Sequence, residues 1–190
     1  MAISLKNKFF ATSFLLFIGL CAMAQPQYNT ADLLKKYPNE SWLYVLQKKK
    51  IKIYLKKGQL EATIDTHNEM AILKNQASGL TEGNVYYDDH FIFLTDLKAG
   101  TWVPDGKSFK FVKMDQNNVQ EVQETNDNIF YDSQKYKRSY YPKLTAGTFT
   151  ELDYSYHIPD GTSLGNLNVQ LGVPVLKVEY EVEVVGDIEI

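Results

Sequence analysis

The chain has 190 residues, 44% of them hydrophobic, and its 20 lysine and arginine residues against 23 acidic ones give a net charge of −3. A mildly acidic chain of mixed charge gives no general reason to expect nucleic acid or an anionic membrane as a partner. The length suits one domain, which would bury roughly two-thirds of the surface of the unfolded chain.

Residues 1–24 have the pattern of an export signal, which is removed from a mature protein. Two lysines form a basic start, residues 9–20 are an apolar run too short to span a bilayer, and Ala22-Met23-Ala24 is a small-x-small cleavage site. The alternative is a lipoprotein acylated at Cys21, but that chemistry prefers a small residue where Leu20 stands. We therefore predict cleavage after the second alanine and an exported protein, either periplasmic or on the outer surface or secreted.

Cleavage would leave 166 residues with a net charge of −5 and no cysteine, so the mature domain has no disulfide and depends on core burial. Residues 25–41 are predicted to be a linker with a short helix, with Thr30 as N-cap and Pro38 as its end. Residues 42–190 are predicted to form the folded domain. After the signal, no apolar segment of the sequence is long enough to span a membrane.

The first strands of that domain are predicted from alternation of apolar and polar residues. Residues 50–56 alternate lysines with apolar residues, residues 57–59 form a turn, and residues 60–65 continue the alternation. The row of lysines is interpreted as a solvated or edge-protecting face of a sheet. The alternative is a binding patch for an acidic polymer.

The middle of the chain is less regular. Residues 86–94 begin polar and become continuously apolar, which predicts a strand entering a core that is buried on both faces. Residues 101–111 contain the turn Val103-Pro104-Asp105-Gly106-Lys107 and are predicted to be a hairpin. Residues 114–128 are polar, and they fit either one helical turn or a long exposed connection.

The clearest turn and strand follow in residues 139–157. The piece between Pro142 and Gly147 is predicted to be a turn, because proline lacks an N–H donor and glycine readily takes a positive φ. Beyond it, the pattern places two sets of side chains on opposite faces of a strand. The inner set is Thr150, Leu152, Tyr154 and Tyr156, and the outer set is Glu151, Asp153, Ser155 and His157.

Residues 176–184 alternate apolar residues with lysine and glutamate, which predicts a strand. Residues 188–190 restart the pattern, so either they pair as a final short strand or the chain once continued. Many short strands, turn chemistry between them and one modest helix predict an all-β fold. We expect a mainly antiparallel β-sandwich with a short N-terminal helix.

The order and spacing of four segments resemble a known family. The segments are Pro104-Asp105-Gly106-Lys107, Ile129-Phe130-Tyr131-Asp132, residues 141–156 with the turn and tyrosines named above, and Pro174-Val175-Leu176-Lys177-Val178-Glu179-Tyr180. They are similar to the domain of unknown function that precedes the transglutaminase-like core in large exported proteins of Gram-negative bacteria. The resemblance covers roughly residues 42–190 and implies a sandwich, an envelope location and an accessory role.

Members of that family normally continue into a papain-like core with a catalytic cysteine, histidine and aspartate. This chain ends where that core would begin, and its mature part has no cysteine nucleophile. The first hypothesis is therefore a non-catalytic exported accessory or binding β-sandwich. The second is a fragment of a larger cysteine transglutaminase or peptidase-like enzyme whose catalytic core lies beyond Ile190. A third is a small hydrolase with an unrecognised site.

The sequence predicts no catalytic, metal or cofactor-binding residue, because His67, His90 and His157 lack a recognised ligand spacing. Residues 88–90, Asp-Asp-His, are interpreted as a polar strand entrance rather than a metal site. Four aromatic residues could form a platform for a sugar ring, or could fill the core instead. They are Trp42, Trp102, Tyr140 and Tyr141. The partner stays open between another protein domain and an envelope glycan.

Overall fold

A computed structural model describes residues 25–75, 80, 82–123, 134–164 and 172–186. The predicted export signal, the resembling segment Ile129-Phe130-Tyr131-Asp132 and the alternative last strand at residues 188–190 lie outside the described residues.

One helix and nine strands make up most of the described chain. They are α1 (Thr30–Lys36), β1 (Trp42–Lys56), β2 (Gln59–Ile72), β3 (Glu82–Asp88), β4 (Phe93–Asp105), β5 (Ser108–Lys113), β6 (Gln120–Gln123), β7 (Gln134–Tyr140), β8 (Phe149–Ile158) and β9 (Val178–Val185). Two 3₁₀ turns lie at Gln116–Asn118 and Gly161–Ser163.

The strands form two sheets. The large sheet has six strands in the order β5-β4-β8-β2-β1-β9, and the small sheet has three in the order β3-β7-β6. The strand pairs are antiparallel except β1 with β9, which run parallel. The prediction of an all-β, mainly antiparallel fold with a short N-terminal helix is confirmed.

Two apolar clusters lie on opposite faces of the large sheet, because side chains alternate between the faces of a strand. On the inner face, Met70, Ala99 and Leu152 pack with Val85 of the small sheet, so this cluster joins the two sheets. On the outer face, a second cluster joins α1 to one end of the large sheet. Its buried members are Leu33, Leu43, Val45, Ala71, Leu73, Trp102 and Phe149.

The helix begins one residue earlier than the sequence pattern indicates. Asn29, not Thr30, is the N-cap, since its side chain accepts a hydrogen bond of 2.9 Å from the N–H of Ala31. The apolar stripe of this short helix buries Leu33, and half-buried Leu34 and Tyr37 pack against the same cluster. The helix thus covers only one end of the outer face.

The predicted turns are present where the chain reverses. Lys57 and Gly58 connect β1 to β2 with φ angles of 53° and 82°, and Lys56 pairs with Gln59 across them. Two successive positive φ angles are the geometry of a two-residue hairpin loop that matches the twist of its strands. The predicted hairpin at residues 101–111 is confirmed as β4 and β5, with Asp105 paired to Ser108.

The prediction of one doubly buried strand over residues 86–94 is wrong. β3 ends at Asp88 and β4 begins at Phe93, and Phe91 between them is 58% exposed. The Asp88 carboxylate accepts hydrogen bonds from the N–H groups of His90 and Phe91, at 2.6 and 3.1 Å. Such a side-chain-to-backbone turn competes with strand pairing, so the chain reverses here and passes from the small sheet to the large one.

Residues 114–123 contain one helical turn, as one of the two alternatives has it, and then a short strand that neither alternative includes. Asp115 accepts a hydrogen bond of 3.0 Å from the N–H of Asn117 and starts a 3₁₀ turn rather than an α-helical one. β6 follows, and its Val122 pairs with Tyr136 of β7. The rest of the stretch, residues 124–128, lies outside the described residues.

Candidate functional site on the outer face of the large sheet

Polar and charged side chains occupy the outer face of the large sheet beyond the end that α1 covers. The strand registers align them in rows that run across five strands from β4 to β9. The first row is Lys98, Asp153, His67, Lys48 and Glu179, and the second is Asp96, Ser155, Asp65, Lys50 and Glu181. Side chains directly opposite each other on neighbouring strands are close enough to interact. Within the rows, Asp153 bonds to His67, Ser155 to Asp65, Lys48 to Glu179 and Lys50 to Glu181.

His67 is at the centre of the first row. Its Nδ1 lies 2.7 Å from a carboxylate oxygen of Asp153 on β8, and its Nε2 lies 2.9 Å from one of Glu69 on its own strand. The hydrogen bond to Asp153, with a smaller contribution from that to Glu69, raises the pKa of His67 to about 10 from its ordinary 6.5. The imidazole is therefore positively charged at neutral pH, with both ring nitrogens donating to carboxylates.

A serine, a histidine and an aspartate thus lie close together, but they are not connected as a catalytic triad. The Ser155 hydroxyl donates a hydrogen bond of 2.6 Å to Asp65, whereas His67 is bonded to Asp153 and Glu69. A triad needs a neutral imidazole nitrogen that accepts the proton of the serine hydroxyl. A charged imidazole with both nitrogens donating cannot act as that base.

Glu151 connects this polar face to the apolar cluster under α1. Its carboxylate accepts a hydrogen bond of 2.6 Å from Nε1 of Trp102, which is only 4% exposed. Burial raises the pKa of Glu151, and the bond from Trp102 lowers it less than burial raises it. The outer side of β8 is therefore not simply solvated, as its alternation suggests, because its first carboxylate is an acceptor for a buried indole.

A second ion cluster lies at the opposite end of the same face. The Glu61 carboxylate lies 2.7 Å from Nε2 of His157 and 3.2 Å from Nζ of Lys56. Glu61 is 7% exposed. The hydrogen bond from His157 lowers its pKa most, and the hydrogen bond from Lys56 lowers it less. A nearly buried carboxylate is stable only with such partners, so this cluster has a structural role.

The row of lysines predicted on β1 pairs with glutamates of β9. Lys50 lies 2.8 Å from Glu181, and Lys52 lies 3.3 Å from Glu183. The edge-protecting interpretation is wrong for the folded protein, since β1 lies between β2 and β9. The solvated interpretation is confirmed, because the side chains of Lys50 and Lys52 are 41% and 44% exposed.

The rows enclose a shallow groove of about 490 Å³ on the outer face. Its lining residues are Lys48, Lys50, Asp65, Thr66, His67, Asp96, Lys98, Asp153, Tyr154 and Ser155. Charged side chains of both signs line it, so it offers donors and acceptors to a polar ligand. Within the described ranges, no group of three or more histidine, cysteine or acidic side chains is arranged to hold a metal ion.

The four aromatic residues named as candidates for a sugar platform or for core filling do not meet on one surface. Trp102 is buried in the cluster under α1, whereas Tyr141 is 6% exposed and buried between the sheets. Trp42 packs edge-to-face on Tyr44 at a centroid distance of 5.4 Å, at the side of that inner cluster. Tyr140 is 38% exposed at the end of β7. Their placement agrees best with the core-filling alternative for Trp102 and Tyr141.

The His67–Asp153 pair is absent from the sequence-based candidates. Alternation places each residue on the polar side of its own strand, but it does not show which strands are neighbours. The two residues are 86 positions apart, and only the pairing of β2 with β8 brings them together. None of the described helices is long and apolar enough to cross a membrane.

Comparisons with known proteins agree with this architecture. Residues 59–190 match the family described as a domain of unknown function with a solved structure, DUF3857. Among similar solved structures is a crystal structure from Parabacteroides distasonis of a protein named as a putative protease, at 18% sequence identity and a TM-score of 0.60. The match covers 76% of this chain but only 29% of that protein, and it shows a common fold. No curated protein matches the chain.

Proposed function

The chain belongs to the DUF3857 family, and on that premise we propose that it is a non-catalytic accessory or binding β-sandwich of exported proteins. The observation that carries the proposal is the bonding of His67. His67, which lies near Ser155 and Asp153, is charged and bonded to two carboxylates, so it cannot accept the proton of the Ser155 hydroxyl as a triad histidine does.

The size of the match supports an accessory role. The chain spans 29% of the length of the Parabacteroides distasonis protein, whose name points to proteolysis. Since the shared fold forms less than a third of that protein, we take its role to be binding or positioning beside the rest of the chain. We infer that the domain acts beside a transglutaminase-like core, as the resemblance of its turns and strands implies.

The charged groove supplies a surface for such a role. Lys48 and Lys50 of the groove pair with Glu179 and Glu181 of β9 at 3.5 and 2.8 Å, and Lys98 pairs with Asp96, so these lysines already have partners in the free protein. Surface pairs of this kind contribute little stability each, and they exchange easily for contacts with a polar partner. This favours recognition of polar or charged groups on a neighbouring domain.

The test is a panel of ester, peptide and glycoside substrates incubated with residues 25–190 and with the variants His67→Gln and Ser155→Ala. We expect no turnover above the uncatalysed rate with any of the three proteins. His90→Gln is the matched control, because His90 lies in the exposed turn between β3 and β4. Turnover that disappears in His67→Gln or Ser155→Ala but persists in His90→Gln would overturn the proposal.

A further inference from the structure

β9 is the last strand of the large sheet. It pairs with β1 on one side, and no strand among the described residues pairs with its other side. Gln47 donates its N–H to the carbonyl of Lys177 at 2.9 Å, which fixes the direction of the backbone groups that follow. Since these groups alternate along a strand, Val182 and Val184 direct their N–H and C=O away from β1. Such an edge is a template for another strand.

The inner side of this edge is apolar and exposed. Val182 and Val184 are 56% and 41% exposed, and they lie in register with Ile51 and Ile53 of β1. Leu55, further along β1, is 50% exposed. A strand added beside β9 with apolar side chains on this face would cover the two valines and extend the apolar side of the sheet.

The outer side of the same edge is acidic. Glu179, Glu181 and Glu183 follow one another along β9, and their side chains remain 35%, 54% and 40% exposed beside the lysines of β1. A strand added on the free side lies about 5 Å from these glutamates and about 10 Å from the lysines. Basic side chains on its outer face are therefore favoured over acidic ones.

β1 already demonstrates this complementarity. It presents Lys48, Lys50 and Lys52 to the three glutamates and Ile51 and Ile53 to the valines. A second copy of β9 would not be complementary in this way, because pairing two β9 strands places glutamates opposite glutamates on one face. Like charges directly opposite each other destabilise a sheet.

We propose that the free edge of β9 binds, by strand addition, an extended segment of another polypeptide in which basic residues alternate with apolar ones. The inference rests on the proposed binding role and names the class of partner. Backbone hydrogen bonds supply the attraction, the glutamate row selects basic side chains, and the valines select apolar ones.

The probe is a seven-residue peptide of alternating lysine and valine with an acetylated and an amidated end, titrated into residues 25–190. The first control replaces each lysine with glutamate. Two further controls carry N-methyl groups, one on the valines and the other on the lysines, so that each blocks the hydrogen bonds of one edge of the peptide. Amide hydrogen exchange measured by NMR reports which strand of the protein is covered.

We expect the lysine peptide to bind and to slow exchange at Val182 and Val184, but not along β5 at the other edge of the sheet. The glutamate peptide should bind at least about tenfold more weakly, and salt should weaken the lysine peptide. One N-methylated peptide should bind at least about tenfold more weakly than the lysine peptide, and the other should bind within about threefold of it, since only one edge of the peptide faces β9. Equal effects of the two methylations, or protection away from β9, would overturn the proposal.

Variants of the protein give a second readout. Val182→Pro removes an outward N–H without removing a bond to β1, and Val182→Thr keeps that N–H as the matched control. We expect the proline variant alone to lose the peptide. If the proline variant fails to fold, the difference in affinity between the two methylated peptides tests the proposal instead. If the protein binds the peptide but shows turnover that depends on His67, only the non-catalytic role is refuted. If it shows no turnover and does not bind the peptide, only the edge site is refuted.

Discussion

At His67 the protein keeps an imidazolium ion at a pH where free histidine is neutral. The carboxylates of Asp153 and Glu69 hold its pKa near 10, against an ordinary value of 6.5. A raised pKa in the folded state stabilises the protein fully below pH 6.5, and this contribution is lost as the pH rises towards the folded-state value.

We predict that the free energy of unfolding falls between these two pH values, by less than about 1.4 kcal/mol per pH unit. Solvent screens the pair, because the side chain of Asp153 is 46% exposed, so the fall is confined to a narrower pH range than these two values bound. Urea unfolding at several pH values should show the slope in the native protein and in His90→Gln, and a weaker one in His67→Gln. Equal slopes in all three would contradict the charged state of His67.

Glu151 provides a second test at the level of single residues. Glu151→Ala leaves the buried indole N–H of Trp102 without its acceptor and should cost about 1–3 kcal/mol of unfolding free energy. Glu151→Gln keeps an acceptor oxygen and should cost less. Denaturant unfolding followed by tryptophan fluorescence measures both, and an alanine variant as stable as the native protein would mean that the bond has no energetic role.

The strand β8 shows at the scale of elements how much the sequence could predict. Its alternation correctly separated Leu152, which is buried between the sheets, from Asp153, which lies on the outer face. Alternation could not give the order in which β4, β8 and β2 lie side by side, because that order depends on contacts between distant segments. For the same reason the row through His67, and hence the candidate site, was not predictable from local patterns.

At this scale the sequence predicts some turns of the chain but not others. The glycine and proline turns were identified because their residues fix unusual backbone angles. The turn after Asp88 was missed, since it depends on one carboxylate that accepts two backbone N–H groups within an otherwise apolar run. A side-chain cap of this kind overrides the hydrophobic pattern around it.

We predict that Leu152→Asp unfolds the domain. The substitution places a carboxylate between the sheets, at a cost of several kcal/mol from a total stability of roughly 5–15 kcal/mol. Asp153→Ala, one residue later and on the outer face, is the matched control and should lose much less. Thermal melts followed by circular dichroism compare them, and similar losses from the two variants would mean that β8 is not buried on one face only.

At the scale of the whole molecule, we predict that the mature protein begins at Gln25. The basis is the cleavage site before that residue together with Leu20, which disfavours acylation of Cys21. N-terminal sequencing and intact mass of the exported protein measure this directly. A mature chain that retains a lipid-modified Cys21 would contradict the prediction and would place the domain on a membrane anchor.

The parallel pairing of β1 with β9 affects the order in which the strands of the large sheet can pair. Lys50 and Glu181 are 131 positions apart, so β1 leaves the ribosome long before its second neighbour exists. Contacts between such distant segments form slowly, and during that interval β1 has an unpaired edge. Its closely spaced lysines then repel other chains, as charged gatekeepers of aggregation do, until the glutamates of β9 arrive and neutralise them.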